Sequence, residues 1–300
     1  MATKLFIIGN GFDLSHGIRS GYNDFRDFVK KNDEELFDAV EENFIGIDLW
    51  SDFEEALAWL DTDSIEDDAT NYLESYGVNE WKESYHHDYQ FEIQKRIDVI
   101  TVQLKEKFTQ WVLQLENNWT KYSCLIPLPN NAIYLTFNYT TTLESLYKIS
   151  DKIVFHIHNK IVNESSTLIL GHSRKPTADN SFNKGANLED QDVRITEGNQ
   201  ILDSYFQDTY KSTEIIIAEN YSFFANLKSV EGIIILGYSL SPVDISYIQE
   251  IVKCIDIGKV NWKVTYHNET DKLHHMQALI EIGVSANNID LIKLENLKLE

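Results

Sequence analysis

The 300-residue sequence is 43% hydrophobic, which is enough for the core of one large domain or two modest ones. Its formal net charge is −22, and a surface of that charge repels nucleic-acid backbones and anionic membranes. We therefore expect neither broad nucleic-acid binding nor membrane association. A small anionic ligand is still compatible with this charge, because backbone N–H groups in a tight loop can hold a phosphate.

The cysteine content and the first residues predict a cytoplasmic protein. Only two cysteines occur, Cys124 and Cys254, and neither belongs to a CxxC motif, so we expect neither a disulfide framework nor a zinc cluster. The apolar run at residues 5–8 is followed at once by Gly-Asn-Gly and is too short for a signal peptide. No segment approaches the roughly 20 apolar residues of a membrane span.

Short apolar runs recur along the chain, with helical patterns between several of them. The first run, at residues 5–8, is apolar on both faces, which is typical of a central parallel strand covered by helices on both sides. The later runs occupy residues 132–136, 153–157, 168–170, 233–236, 264–266 and 289–292. This order predicts an α/β fold with an open, doubly wound, mostly parallel sheet of the Rossmann-like kind.

The first crossover is too long for a simple βαβ unit and is interpreted as a large helical insert. Its clearest helix has apolar residues three or four positions apart along one face. These residues are Ile93, Ile97, Ile100, Leu104, Phe108, Trp111 and Leu115. We predict a Rossmann-like nucleotide-binding domain at residues 1–21 and 130–300, and a helical insert subdomain at residues 22–129. The insert is a candidate surface for a homo-oligomer or a regulatory protein.

Residues 173–198 form the most loop-like segment of the sequence. The segment is polar, has little periodicity and contains Pro176 and Gly185. A long loop in a compact domain is often a lid or a binding loop. A surface excursion explains the same pattern equally well, and the sequence favours neither interpretation.

The residues directly after the first strand are the first candidates for a nucleotide site. Glycines at this position allow positive φ and close backbone approach, so Gly9, Asn10 and Gly11 are predicted to meet a phosphate. Asp13 would cost energy there unless it faces a ribose hydroxyl or a cation, and His16 can supply compensating charge. The alternative is a structural turn in which Asp13 caps local N–H groups.

This opening resembles that of the bacteriophage abortive infection AbiH family, and further segments extend the resemblance in order along most of the chain. The segments are residues 5–14 (LFIIGNGFDL), 16–17 (HG), 22–25 (YNDF), 134–140 (YLTFNYT), 143–144 (LE), 156–158 (HIH) and 235–240 (ILGYSL), with Asp244. The resemblance implies a phage-defence protein. The helical insert contains no motif of this kind.

The same segments are more distantly similar to sirtuin-like NAD-binding domains, which implies NAD as substrate or ligand. The matching motifs are Gly9-Asn10-Gly11, Gly17-Ile18, Phe25-Arg26, residues 136–140 (TFNYT), His158-Asn159 and Gly237-Tyr238-Ser239. Four positions depart from the pattern: Arg19 replaces a proline, Thr140 an aspartate, Asn159 a glycine, and Asp13 a small hydroxyl residue. A cysteine-rich zinc module is missing, so the resemblance implies NAD cleavage rather than protein deacylation.

Asn138 and two histidines follow neighbouring strands of the predicted sheet. Open α/β sheets bind ligands at the carboxyl ends of their strands, where the Asn138 amide can orient a water or a ribose hydroxyl. The alternative is that Asn138 caps a helix over residues 140–147. His156 and His158 alternate along a strand and share one face. We predict His158 as the proton acceptor and His156 as its support, although either can be a packed structural histidine.

Two later segments complete the predicted site. His172 follows a predicted strand and is either a member of the crevice or a surface-loop histidine. Gly237 and Ser239 lie in the turn after a buried strand, where backbone and hydroxyl donors can meet phosphate. Asp244 is a candidate ligand contact, but its position after Ser241-Pro242 favours a capping role in the first turn of a helix.

Three functions are compatible with these residues. The first is binding and hydrolysis of NAD or a related nucleotide, with Asn138 and His158 as the catalytic pair. The second is a nucleotide-sensing module without turnover, because Asp13, Thr140 and Asn159 depart from the sirtuin-like pattern. The third is phosphoester hydrolysis by Asp13, a histidine and a metal. His-x-His is a spacing found in metal sites, but no firm third ligand is apparent, so no metal is predicted.

Overall fold

The computed structural model describes residues 3–46, 48–116, 126–185 and 191–297. The chain divides into two compact units. Unit 1 contains Met1–Gly21, Thr109–Ile169 and Ser212–Glu300, and unit 2 contains Tyr22–Phe108 and Leu170–Lys211. Unit 2 thus begins where the insert was predicted to begin and also takes in a later segment. The sequence-based domains, with boundaries at residues 22 and 130, stay a prediction.

Unit 1 is built on one open sheet of six strands, all parallel, in the order β3-β2-β1-β4-β5-β6. The strands are β1 (Thr3–Ile8), β2 (Ile133–Thr136), β3 (Val154–His156), β4 (Val230–Leu236), β5 (Asn261–Tyr266) and β6 (Ile289–Lys293). This is the Rossmann strand order. The first three strands are added toward one edge of the sheet and the last three toward the other, so the order of addition reverses between β1 and β4. The predicted α/β class and doubly wound sheet are confirmed.

The central strand β1 is covered on both faces, as its continuous apolar run predicted. Its successive side chains enter two separate cores, because neighbouring residues of a strand point to opposite faces. One core contains Leu5, Ile7, Leu135, Ile233 and Ile235. The other contains Phe6, Ile8, Tyr134, Ile234 and Leu236. Burying each such side chain contributes about 1.5–3 kcal/mol, so these two layers fix the sheet.

One predicted strand, at residues 168–170, is wrong. Within this run the Ile169 N–H donates to the carbonyl oxygen of His158 at 3.1 Å, but no ladder of bonds continues from it. A run of three apolar residues is too short to distinguish a strand from an extended loop segment.

The helices range in length from four residues in α4 and α8 to 16 residues in α9. They are α1 (Asn10–Ser15), α2 (Tyr22–Asn32), α3 (Glu34–Asn43), α4 (Phe53–Ala56), α5 (Thr62–Ala69), α6 (Asp88–Asp98), α7 (Leu104–Glu116), α8 (Thr142–Ser145), α9 (Val193–Asp208), α10 (Thr213–Glu219), α11 (Tyr221–Ala225), α12 (Ile245–Cys254) and α13 (Glu269–Glu281). No helix within the described residues is long and apolar enough to cross a membrane.

The long periodic helix predicted between residues 93 and 115 is present with one irregularity. Helices α6 and α7 are joined by a π-helical turn, Val99–Gln103, so the chain stays helical from Asp88 to Glu116. A π turn adds a residue to the helical repeat without ending the helix. The apolar spacing of three and four residues does not reveal it.

The segment predicted as a loop, residues 173–198, is only partly irregular. Helix α9 begins at Val193, where the Asp192 side chain accepts a hydrogen bond from the Arg194 N–H and caps the helix. Arg194 itself is almost fully buried and donates to Asp192 and to the carbonyl oxygens of Glu74 and Tyr85. The start of this helix is polar and has no hydrophobic period, so the sequence pattern does not reveal it.

Candidate functional site

The carboxyl ends of four neighbouring strands lie at one level of the sheet. Ile8 of β1 is in register with Thr136 of β2 and with Leu236 of β4, and Thr136 is in register with His156 of β3. The loops that follow these strands therefore leave from the same edge. Every predicted site residue except His172 belongs to unit 1, on or after one of these strands.

The glycine turns after β1 and β4 pack directly against each other. A Cβ on Gly9 would lie 2.5 Å from the Cα of Tyr238, and a Cβ on Gly11 would lie 2.9 Å from the Cα of Gly237. The Gly9 N–H donates to the Leu236 carbonyl at 3.0 Å, and the Gly11 N–H donates to the Gly237 carbonyl at 2.7 Å. These glycines are required because the two backbones touch.

The glycines of the first turn do not use positive φ, contrary to the expectation from the sequence. Gly9 is extended (φ −123°) and Gly11 is helical, whereas Gly237 has a φ of +60°. The Gly237 N–H donates to Thr265 Oγ1 at 2.9 Å, so all three glycine N–H groups are bonded within the protein. Asn10 and Ser239, next to them, are exposed, and Asn10 Oδ1 accepts a hydrogen bond from the Ser20 hydroxyl at 2.5 Å.

Gly237→Ala is expected to destabilise the protein by about 3 kcal/mol or more. The added Cβ would lie 2.1 Å from the Phe12 nitrogen, in a left-handed conformation that side chains disfavour. Chemical denaturation measures the effect. Gly258→Ala is the matched control, because that glycine is exposed and a Cβ there meets nothing nearer than 3.7 Å. Equal stability of the two variants would contradict the packing of the turns.

Asp13 forms a closed ring of oxygen contacts with two threonines of the loop after β2. Its Oδ2 lies 2.5 Å from Thr140 Oγ1 and its Oδ1 lies 2.6 Å from Thr142 Oγ1, while the two hydroxyl oxygens are 2.9 Å apart. An ionised carboxylate leaves two hydroxyl hydrogens for these three contacts. A protonated Asp13 supplies the third, so every contact in the ring then has a hydrogen.

The same environment raises the pKa of Asp13 to about 6. Complete burial raises the pKa, and hydrogen bonds from Thr140 and Thr142 oppose it only in part. A weak hydrogen-bonding contact with the Asn138 side chain also lowers the pKa, although at stricter geometry both polar atoms of Asn138 are without a partner among the described residues. Because Asp13 is fully buried and its two oxygens contact the hydroxyls of Thr140 and Thr142, the energetic objection to an acid beside a phosphate is reduced.

The stability of the protein is expected to depend on pH through Asp13. Its folded-state pKa of about 6 exceeds the ordinary 3.8, so the folded protein binds this proton more tightly than the unfolded chain. Its contribution to stability is greatest below pH 4 and falls as the pH rises to about 6, by on the order of 3 kcal/mol. The free energies of unfolding of wild type and Asp13→Asn should therefore diverge across this range. A constant difference from pH 4 to 7 would contradict the raised pKa.

Asn138, which follows β2, has a buried side chain whose Oδ1 and Nδ2 both lack a hydrogen-bond partner among the described residues. Its own N–H donates to Thr136 Oγ1 at 3.1 Å. The predicted helix over residues 140–147 is shortened to α8, whose N-cap residue is Thr141, so Asn138 does not cap it. An unpaired buried amide costs about 1–3 kcal/mol, which argues against a purely structural role.

His156, the last residue of β3, contacts hydrogen-bond acceptors through both ring nitrogens. Nδ1 lies 3.2 Å from the carbonyl oxygen of Asn138, and Nε2 lies 3.0 Å from Glu144 Oε1. Lys160 also donates to Glu144, at 3.1 Å. Burial alone would raise the pKa of Glu144, but hydrogen bonding and the charge of His156, together with Lys160, lower it to about 2.

His158, two residues later, is 2% exposed and faces Asp244 across the sheet edge. Its Nε2 lies 3.3 Å from Asp244 Oδ1, a charge contact that does not meet hydrogen-bond geometry. Helix α12 begins at Ile245, not at Pro242, and the Asp244 side chain makes no capping bond although Asp244 is the N-cap residue. The predicted capping role of Asp244 is therefore wrong, and its carboxylate is directed to His158.

His16 is a structural histidine in this arrangement. Its Nδ1 lies 2.7 Å from the Phe12 carbonyl oxygen and donates to it, and its Nε2 is hydrogen-bonded to the Tyr147 hydroxyl at 2.6 Å. The same hydroxyl accepts from the Ile126 N–H. These bonds tie α1 to the residues after α8, and they account for both ring nitrogens of His16 without a ligand.

His172 belongs to unit 2 and is fully buried there. It pairs through its backbone with Thr209 and Lys211, and burial, reinforced by the charge of Arg174, lowers its pKa to about 4. Unit 2 also holds a cavity of about 340 Å³ lined by Arg174, Asp203 and Phe206, and His172 does not line it. The surface-loop interpretation of His172 is therefore wrong.

Several residues that build this edge were not identified from the sequence. Glu144 holds His156, Thr142 completes the ring around Asp13, and Tyr147 holds His16. Glu144 and Tyr147 lie in the helical pattern after Asn138, where acidic and aromatic residues usually form a solvated or packed face. Within the described ranges, no group of three His, Cys, Asp or Glu side chains is arranged to hold a metal.

The comparison with protein families matches residues 5–266 to the model described as bacteriophage abortive infection AbiH. The chain belongs to the AbiH family. The match covers most of the sequence and supports a role in abortive phage infection. A comparison with curated proteins found no match.

The matched range includes every predicted site residue of this AbiH protein. It also includes three positions that depart from the sirtuin-like pattern and that the structure explains locally. Asp13 and Thr140 are hydrogen-bonded to each other. Asn159 has a φ of +64°, a conformation that asparagine tolerates better than most residues other than glycine.

Proposed function

We propose that this AbiH protein binds NAD or a closely related nucleotide at the carboxyl edge of unit 1 and hydrolyses its nicotinamide–ribose bond. The observation that carries the proposal is the buried, unpaired Asn138 amide, flanked by His156 through the Asn138 carbonyl. Polar groups retained at such a cost are typical of ligand sites. The position next to β1, near the reversal of strand order, is where Rossmann-like sheets bind nucleotides.

The diphosphate would lie at the rim formed by Asn10 and Ser239. Both residues are exposed and adjoin the touching glycine turns, whereas the glycine N–H groups are already bonded. The glycines thus serve to bring the two polar residues close together. The sequence predicted that Gly9, Gly11 and Gly237 contact the phosphate. In this proposal the neighbouring Asn10 and Ser239 make that contact instead.

The reaction requires a leaving group, a water and a proton acceptor. The bond between ribose C1′ and the pyridinium nitrogen breaks, and its electron pair leaves with neutral nicotinamide. A water attacks C1′, with Asn138 holding the water or the ribose hydroxyl, and His158 accepts the proton that the water loses. The products are ADP-ribose, nicotinamide and one proton, so atoms and charge balance.

In an infected cell this activity would remove NAD and halt phage growth together with host metabolism. Such an enzyme has to be silent in healthy cells, so we propose that assembly or a regulatory protein acts through the helical insert. The acidic overall charge of −22 favours a partner with a basic surface. The trigger would then be an event of infection rather than the supply of NAD.

The proposal is tested by measuring NAD in cells exposed to phage. Wild type is expected to deplete NAD and protect the culture, and Asn138→Ala and His158→Ala are expected to do neither. His87→Ala, which alters an exposed histidine of unit 2, should behave as wild type. Protection together with NAD loss in both site variants would overturn the mechanism.

Nucleotide sensing without turnover is a second candidate. The burial of Asn138 and His158 favours it, because a site that stays closed around its ligand would bind without releasing products. Calorimetric titration with NAD, followed by analysis of the mixture for nicotinamide, separates the two candidates. Binding with NAD recovered intact in the presence of an infected-cell extract would support sensing.

A further inference from the structure

The two histidines at the end of β3 are paired with acids in different ways. His156 is the last residue of β3 and His158 lies in the turn that follows, and each has one acidic partner on the segment that follows another strand. Glu144 follows β2 and Asp244 follows β4. The difference lies in what the second ring nitrogen of each histidine contacts.

His156 is held in its doubly protonated form by geometry. A backbone carbonyl and a carboxylate can only accept hydrogen bonds, so Nδ1 and Nε2 must both carry hydrogen to satisfy Asn138 and Glu144. Glu144 stays ionised because His156 and Lys160 hold its pKa near 2, although burial opposes this. With an acceptor against each ring nitrogen, His156 offers no lone pair to a proton.

His158 keeps one ring nitrogen available. Nε2 lies 3.3 Å from Asp244 Oδ1, and a hydrogen on Nε2 is the one that faces this carboxylate, so the neutral ring keeps its lone pair on Nδ1. The rings of Phe137, Tyr139 and Tyr247 lie 5.4, 6.1 and 5.7 Å from the imidazole and restrict its rotation. The lone pair of Nδ1 is the only basic site left on the two imidazoles.

We propose that Glu144 and Asp244 are positioning residues that give the two histidines separate tasks. Glu144 keeps His156 a fixed cation that holds the Asn138 backbone, and Asp244 directs the proton in the reaction to Nδ1 of His158. The division of tasks rests on the proposed function, whereas the two protonation states belong to the ligand-free protein. When Nδ1 accepts the proton from water, the resulting imidazolium is stabilised by Asp244.

The protonation states are tested by NMR on the full chain labelled with ¹⁵N-histidine at neutral pH. The signals are assigned from spectra of His156→Gln and His158→Gln among the nine histidines. We expect both nitrogens of His156 to be protonated, and Nε2 but not Nδ1 of His158 to be protonated. A neutral His156, or a His158 protonated at Nδ1, would overturn the proposal whether or not the protein cleaves NAD.

The kinetic consequences are tested with Glu144→Gln, Asp244→Asn and the matched surface control Asp256→Asn. Asp256 is exposed and pairs with Lys259. Asp244→Asn is expected to lower kcat for nicotinamide release about 100-fold with little change in KM, and Asp244→Glu should restore part of it. Unchanged kcat in Asp244→Asn would overturn the assignment. If wild type releases no nicotinamide, the proposed function fails, and the spectra alone decide the histidine states.

Discussion

His158→Ala is expected to lower the rate of nicotinamide release from NAD by a factor of about 10²–10⁴, the range that a general base supplies. The variant loses the imidazole proposed to accept the proton, while His156 stays bonded to Glu144. KM should change little, because the imidazole acts on the attacking water rather than on the bound nucleotide. Initial rates with the purified protein and infected-cell extract measure both parameters.

His156→Gln serves as the comparison in the same assay. It removes the cation beside Asn138 but leaves His158 and Asp244 in place. We therefore expect a smaller loss of rate than in His158→Ala. A larger loss in His156→Gln would assign the base to His156 and contradict the separate tasks of the two histidines.

Asn138→Leu is expected to raise the stability of the protein while abolishing nicotinamide release. Both polar atoms of the Asn138 side chain are buried without a partner among the described residues, which costs the folded protein about 1–3 kcal/mol in lost hydrogen bonds to water. An apolar side chain of similar shape removes this cost. A residue kept for function at the expense of stability behaves in this way. Chemical denaturation and the nicotinamide assay are made on the same sample.

Asn199→Leu is the matched control for this experiment. Asn199 has the same 7% exposure as Asn138, but its amide donates to the Phe182 carbonyl and to Asn183. Its replacement should destabilise unit 2 because those partners lose a donor. If Asn138→Leu were destabilised as much as Asn199→Leu, Asn138 would be a structural residue.

The fold was largely predictable because the sheet is covered on both faces. Apolar runs such as residues 5–8 and 233–236 have no polar alternation, and only a central parallel strand buries both faces of such a run. The three-residue run at 168–170 carries too little information for the same inference. The polar N-terminus of α9 at Val193 was missed because its stabilising ion pair, Asp192 with Arg194, is local and has no period.

The candidate site was predictable in position but not in its pairings. Asn138, His156 and His158 were found because strand ends converge at one edge of the sheet. Their partners Glu144 and Asp244 are brought there by loops from different strands, which a sequence pattern does not record. Asp244 was misassigned because Ser-Pro-x-Asp is a common helix start, whereas in this chain the helix begins one residue after the aspartate.

Cleavage of NAD at this site can be observed directly by mixing purified wild type with NAD and infected-cell extract and following the nicotinamide protons by NMR. We expect the nicotinamide signals of NAD to disappear while free nicotinamide and ADP-ribose appear in equal amounts, and we expect His158→Ala under the same conditions to leave NAD intact. Equal release by wild type and His158→Ala would contradict the proposed mechanism, as would intact NAD with wild type. Intact NAD accompanied by binding would identify a nucleotide sensor.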